Sequence, residues 1–373
     1  MHSSTSNSER LTASDRPGVA QPVPERPIPA RPWGPIGAIA LVLMLFLTGV
    51  WEWNARRLQL LPGDLADGTG DWVEQRRKVD AGQGEVVLIG DSRILFDTDL
   101  DHFEKLTGIR PVQLALPGTN GRPFLQDLSD DPDFKGLVVV GMAEPLYFRD
   151  NIGLMGDALD RHKFEAPSQR SSWVIQSQLE RVLGFLEDNY RLSNLIKRLD
   201  TGWRTGPRGP YLDVWKVRSG GRDRQTWLWP RIETDERLRL HAIAVWNSHK
   251  GPPVPDEIIQ MTQETTRVAV EKIRARGGDV ILLRPPSSGA LRAGERIGFA
   301  RKRFWEPLLA AAKLEGIHFE DFATMQDLKV PEESHLSRAC ATVFTDAYVR
   351  EIARRIERVK IRPEHAEPLT KEC

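Results

Sequence analysis

The chain has 373 residues, 52 Lys and Arg against 52 Asp and Glu, 40% hydrophobic residues and a mean hydropathy of −0.40. That length suits one large domain or two modest ones with ample chain to bury a core, and the zero net charge argues against a polycation wrapped on nucleic acid. The mean polarity excludes a multi-span membrane protein but not a single span, which an average dilutes.

Residues 1–32 are rich in Ser, Pro and Thr and almost devoid of large apolar side chains. Such a segment cannot bury enough surface to offset its chain entropy, so it reads as a disordered tail. Residues 33–53 read as a transmembrane helix. From Trp33 to Trp51 the chain runs WGPIGAIALVLMLFLTGVW without a charge. Pro35–Trp51 spans about 26 Å as helix, near the lower limit for a bilayer. Trp33, Trp51 and Trp53 bracket the run as an aromatic belt would. A buried soluble helix is the plain alternative. A cleaved signal peptide fits less well, because the apolar run is long, starts late and leads into VWEWNARR rather than a small-x-small site. Arg16, Arg26 and Arg31 precede the run and Arg56 and Arg57 follow it, so the positive-inside count leaves the orientation nearly balanced.

Residues 54–84 are polar and charged and read as a stalk, with a helical piece at DWVEQRRKV. The body, residues 85–358, opens with EVVLIGDS, an apolar β-branched run of the kind a buried parallel strand shows. VQLALPG at 112–118, GLVVVGM at 136–142, DVILLRPPSSG at 279–289 and GIHFEDF at 316–322 repeat that pattern. Ile258, Ile259, Val268 and Ile273 recur at helical spacing within 256–276, and a final helix is expected in ATVFTDAYVREIARRIERV. Strands alternating with helices predict an α/β domain with a mostly parallel sheet. Residues 151–255 form an insertion longer than an ordinary crossover. It holds an amphipathic helix from Trp173 to Leu199, with Ile175, Leu179, Val182, Leu186 and Tyr190 on one stripe. A Gly/Pro/Arg/Trp-rich run follows. Residues 359–373 read as a C-terminal tail.

Ser92 closes the first core strand, and the carboxyl ends of strands in open α/β sheets are where ligands bind. A serine there is a nucleophile candidate if a base reaches it. His335 in VPEESHLSRAC is that base candidate, with Glu332 three residues earlier to orient the imidazole. Each residue also has a plainer reading. Ser92 suits a helix N-cap, and His335 suits a surface histidine before a helix capped by Glu332 or Ser337. Arg93 and Arg284 each lie at the C-terminal end of a core strand, where a guanidinium binds an anionic substrate group bidentately. The plainer reading is a salt bridge to a neighbour such as Asp91 or Asp97.

Together these motifs resemble the SGNH/GDSL hydrolase superfamily. GDS after the first strand matches its nucleophile block, LPGTNG at 116–121 its glycine block, and E-x-x-H-L-S at 332–337 resembles its terminal D-x-x-H block. The resemblance covers about residues 85–357 less the insertion, and it implies an SGNH-like three-layer sandwich. It implies Ser92 as nucleophile, His335 as base, Glu332 as orienting acid, and the amide of Gly118 beside that of Ser92 in the oxyanion hole. Two departures stand out. Glu332 replaces the family's Asp, and Gly141-Met142-Ala143-Glu144 stands where the third block has G-x-N-D, so Ala143 replaces the oxyanion-binding Asn. Asn120, two residues after Gly118, is the candidate substitute.

The run 200–231 joins Trp203, Tyr211, Trp215, Trp227 and Trp229 with Arg204, Arg208, Lys216, Arg218, Arg222, Arg224 and Arg231. Readings for it are sugar or anionic-polymer contact, anionic lipid headgroups, or a solvated insertion whose tryptophans cover the core. It carries most of a local imbalance: residues 54–150 hold 11 basic and 17 acidic groups, residues 151–255 hold 17 and 12. The two segments either neutralise each other by packing or leave the insertion to meet an anionic partner. Cys340 reads as isolated and buried; no metal site, cofactor or nucleotide motif is expected. The expectation is a single-pass membrane protein with a periplasmic body. It acts as a serine esterase or O-acyltransferase on an acylated carbohydrate or envelope polymer, without nucleic acid and in the company of other envelope proteins. The alternative is a catalytically inactive binding or scaffold protein of an envelope polysaccharide export or modification assembly.

Overall fold

A computed structural model of the chain describes residues 31–149, 153–199, 216–248, 251–370 and 372–373. Nearly all of the tail expected over 1–32 lies outside these residues, as do Trp203, Arg204, Arg208, Tyr211 and Trp215 of the basic-aromatic run. The chain divides into two units, Met1–Trp51 and Glu52–Cys373. The first enters the helix Trp33–Arg57, whose 25 residues extend about 37 Å. Its apolar side chains, from Ile36 to Val50, are exposed, and the helix is long and apolar enough to cross a membrane.

The second unit is an α/β fold. Its strands are β1 (Val86–Gly90), β2 (Val112–Gln113), β3 (Leu137–Gly141), β4 (Arg218–Gly220), β5 (Thr226–Leu228), β6 (Asp279–Arg284) and β7 (Glu315–His318). Five of them make one all-parallel sheet in the order β2–β1–β3–β6–β7, while β4 and β5 pair as a separate antiparallel hairpin. The β-branched runs of β1 and β3 are buried on both faces, as parallel sheets require. Alternate residues divide between two cores. Val87, Ile89, Val138, Val140 and Leu282 pack with Trp72, Phe124, Val270 and Trp305. Val86, Leu88, Val139 and Ile281 pack with Ile94, Phe103, Phe344 and Val349. Helices therefore cover both faces of the sheet.

After β1 the chain places β2 on one side, and from β3 onward it builds on the other. The crevice at such a reversal, beyond the carboxyl ends of the strands, is the natural ligand position in open α/β sheets. Gly90 and Gly141 face each other there in register. Gly90 has φ +134°, and a Cβ on it would run into the Gly141 carbonyl, so only glycine lets the two strand ends approach this closely.

Several expectations are corrected. Residues 54–84 are no projecting stalk. The helix Thr69–Lys78 buries Trp72 and Val73, the Trp72 indole N–H donates to the Leu114 carbonyl at 2.9 Å, and Arg76 reaches Asp127 at 2.8 Å and Asp131 at 2.9 Å. Residues 359–373 are no loose tail either. Val359 is buried, the Arg362 amide donates to Leu106, and Arg350 donates to the carbonyls of His365, Ala366 and Glu367. Cys340 is buried but not isolated, because it is disulfide-bonded to Cys373. The long amphipathic helix is two helices, Pro167–Glu180 and Leu192–Leu199. The opposite charges of the two segments pack together: Arg224 forks onto Asp67, Lys216 reaches Asp64, and Lys78 and Arg110 meet Asp223.

The disulfide closes a loop of 33 residues in sequence separation. On the chain-entropy account such a loop contributes about 3–4 kcal/mol. Cys373→Ser is expected to lower the unfolding free energy by about that amount, measured by denaturant titration under non-reducing conditions. Identical midpoints for the two proteins would show that the bond contributes nothing.

Candidate active site

The site is assembled from three loops at the carboxyl end of the sheet. Asp91 ends the turn after β1 and caps the helix Ser92–Asp97, its carboxylate accepting the Arg93 amide at 2.8 Å. Asp91 thus takes the capping role considered for Ser92. The freed Ser92 hydroxyl lies 2.8 Å from His335 Nε2. His335 Nδ1 is 2.8 Å from Glu332 Oε1, which also accepts the His335 backbone amide at 2.6 Å. The other carboxylate oxygen of Glu332 accepts the indole N–H of Trp246. The His335 amide and the Trp246 indole both donate to this carboxylate, an environment that suits an acceptor and favours the imidazole tautomer with its proton on Nδ1. Nε2 is left to accept from Ser92.

Burial sharpens this chain. Glu332 and His335 are buried and Ser92 is partly exposed, so the hydroxyl is the end of the chain that meets solvent. Phe96 stacks on the imidazole at 4.2 Å between ring centroids, and Trp246 meets it edge-on at 5.7 Å. Ser337, not Glu332, caps the final helix Arg338–Ala353 by accepting the Cys340 amide. Chemically, the arrangement has a hydroxyl, an acceptor nitrogen to take its proton, and a buried carboxylate to stabilise the imidazolium that results.

The residues around the hydroxyl fall differently from the expected pattern. The Ala143 amide is taken by the second oxygen of Asp91 at 3.0 Å. Asn120 is engaged within the loops: its side-chain amide donates to the Arg149 carbonyl at 2.9 Å, and its oxygen accepts the Arg122 amide at 2.9 Å. It acts as a strut between the segments after β2 and β3. Gly118 has φ +70° and is exposed, with open space about its α-carbon. The amides of Ser92 and Gly118 donate to no acceptor among the described residues.

Arg93 and Arg284 are not substrate clamps. Arg284 is wholly buried and donates to Glu144 at 2.7 Å, to Glu295 at 2.6 Å and to the Pro285 carbonyl. Arg93 is buried and donates to Glu295 at 2.5 Å. The salt bridge is the right class of reading, but the partners are Glu295 and Glu144 rather than Asp91 or Asp97. Burial would raise the Glu295 carboxyl, yet Arg284 and Arg93 overrule it and hold that carboxyl well below the usual range. Of the described tryptophans of the basic-aromatic run, Trp229 is packed inward and Trp227 is half-buried. Trp227 lies under the Arg338 guanidinium at 4.0 Å, and Trp229 is buried beside Lys216 and Arg231.

Sequence reading missed Trp246 and Glu295, and it gave Asp97 only as an arginine's partner. Trp246 meets Glu332 across 86 residues of chain, and nothing local announces such a pairing. Asp97 accepts the Leu336 amide at 2.8 Å, which ties the serine's helix to the histidine's loop, while its second oxygen is buried without a partner. Burial pushes the Asp97 carboxyl well above its ordinary value of 3.8. Compared with known proteins, the chain matches no family model and no curated protein.

A raised carboxyl stays protonated in the fold while the unfolded chain ionises, so this group costs stability as pH climbs above about 3.9. Asp97→Asn retains the acceptor and removes the ionisation. The variant's stability relative to wild type is therefore expected to rise between pH 4 and pH 8, read by thermal unfolding across that range. A difference that stays flat with pH would show that Asp97 does not titrate as described.

Proposed function

We propose that this chain is a membrane-anchored serine esterase or O-acyltransferase of the SGNH/GDSL type. Its body lies outside the cytoplasm and acts on acyl groups of a carbohydrate or envelope polymer. The observation that carries this reading is the hydrogen-bonded chain Ser92–His335–Glu332, with 2.8 Å at each link between side chains. It stands at the sheet's point of reversal, beside the GDS and LPGTNG motifs. In the proposed reaction Ser92 Oγ attacks the acyl carbonyl as its proton passes to His335 Nε2. The tetrahedral oxyanion sits against the amides of Ser92 and Gly118. The leaving alkoxide then takes the proton from His335, and Ser92 is left as an ester. Water resolves that ester in an esterase, and a sugar hydroxyl does so in a transferase; the first half-reaction is common to both.

Two further observations support the placement. The helix Trp33–Arg57 supplies the anchor, and the Cys340–Cys373 disulfide is at home in an oxidising compartment outside the cytoplasm. One observation favours a second reading, a non-catalytic binding protein of the same type. Ala143 offers no side-chain donor and its amide is already bonded to Asp91, so the oxyanion hole has two donors instead of three. A missing donor costs about 2.7–4 kcal/mol of transition-state stabilisation, which slows a reaction without abolishing it.

A fluorophosphonate probe separates the two. The wild type is expected to label at Ser92, with labelling lost in Ser92→Ala and in His335→Ala. Absence of labelling in a folded wild type overturns the catalytic reading in favour of the binding one. Trp246→Phe keeps a ring against His335 but removes the hydrogen bond to the buried carboxylate, a contact worth about 1.5–3 kcal/mol. Its labelling rate is expected to fall by roughly tenfold or more with the fold intact. An unchanged rate would show that Trp246 does not support the acid.

A further inference from the structure

The helix Pro167–Glu180 meets the rest of the body through Trp173, Gln176 and Glu180 and not through its apolar residues. Its Trp173 indole donates to Asp71 at 2.9 Å, and buried Glu180 accepts from the Ala66 amide at 3.0 Å, from Gln176 at 2.7 Å and from Arg191. Of the apolar stripe legible in the sequence, Ile175, Leu179 and Val182 point outward, 62%, 43% and 59% exposed, while Leu186 and Tyr190 are half-buried. In the next helix, Leu192 and Ile196 are 60% and 54% exposed. A surface helix in water presents the opposite faces, and contiguous exposed apolar side chains mark a contact surface.

The position of this surface indicates what it contacts. Glu52 directly follows the uncharged run and accepts the amides of Gly184 and Phe185, each at 3.1 Å. The Gly63 amide donates to the Glu180 carbonyl at 2.9 Å. The end of the inverted helix is therefore fastened to the first dozen residues that leave the apolar run. Trp53, Leu58 and Leu61 are exposed in that same short segment. Exposed Arg56, Arg57, Arg170 and Arg181 supply cations beside the apolar residues.

We propose that the outward apolar face of residues 174–196 lies in the interfacial layer of the same bilayer that the N-terminal helix enters. The occupant is phospholipid: acyl chains against Ile175, Leu179, Val182, Leu192 and Ile196, and phosphates near the flanking arginines. The body then rests on the membrane surface by a second contact and does not hang from a single span. This inference rests on the membrane anchor of the reading above and is independent of whether Ser92 is a nucleophile.

The test uses the full chain reconstituted in phosphatidylcholine–phosphatidylglycerol vesicles, with an environment-sensitive fluorophore on single introduced cysteines. Ile175→Cys, Val182→Cys and Leu192→Cys report the surface, Leu43→Cys the span and Glu264→Cys an exposed site on another helix. Labels at 175, 182 and 192 are expected to shift to the blue and lose emission to lipids spin-labelled near the headgroup, the label at 43 to lose emission to lipids spin-labelled deep in the acyl chain, and the label at 264 to do neither. Quenching at 43 alone overturns the proposal and leaves the anchor standing. Labels at 175, 182 and 192 that are shielded from iodide but not quenched by spin-labelled lipid overturn it in favour of a protein occupant. No quenching at 43 removes the anchor, and the proposal falls with it.

Discussion

The carboxylate of Asp91 is the constraint on which the site depends. One oxygen accepts the Arg93 amide and the other the Ala143 amide, so a single side chain joins the turn after β1 to the turn after β3. This bridge is possible because Gly90 has no Cβ to meet the Gly141 carbonyl, and Gly141 none to meet Ile94 of the serine's helix. Capping by Asp91 leaves the Ser92 hydroxyl free to meet His335. The same bridge takes up the backbone amide of Ala143, so one interaction sets the order of the loops on both sides of the serine.

Behind that bridge lies a buried ionic cluster. Arg284 joins Glu144 to Glu295, and Arg93 joins Glu295 to the serine's helix. Buried charges are costly to desolvate, and they are tolerated here because each carboxylate meets a guanidinium in direct contact. The cluster braces β6, the helix Gly289–Gly298 and the loops after β1 and β3 against one another. Positions that a sequence suggests as an anion-binding mouth are instead its rear wall. Asp97 belongs to the same support, because its bond to Leu336 sets the approach of the histidine loop to the serine's helix.

The parallel sheet was legible because β-branched runs ending in glycine have few other uses. All five expected strands are present, but the one expected over 316–322 ends at His318 and passes into a helical turn over Phe319–Asp321. β2 pairs over only two residues, since the chain after Gln113 bends away toward Gly118, although the amides of Leu114 and Leu116 still reach β1. The Ser, His and Glu of the site were legible from their places at the ends of elements. Trp246 was not, because its role arises only when the insertion helix Glu236–Ser248 folds back over Glu332. The disulfide was equally hidden. Two cysteines in a long chain carry no spacing signal, and only the return of residues 359–373 along the final helix brings Cys373 to Cys340.

The charge balance shows where the two levels part. The sequence alone determined the periodicities, the uncharged N-terminal run, the order of strands and the apolar stripe through Ile175, Leu179 and Val182, because each is a local pattern imposed by helix or strand geometry. The tertiary structure alone decided which way that stripe faces, that Arg224 and Lys216 are spent on Asp67 and Asp64, and that Arg93 and Arg284 look inward. A side chain's partner is set by distance in space, and distance in space is fixed only when segments far apart in the chain pack together.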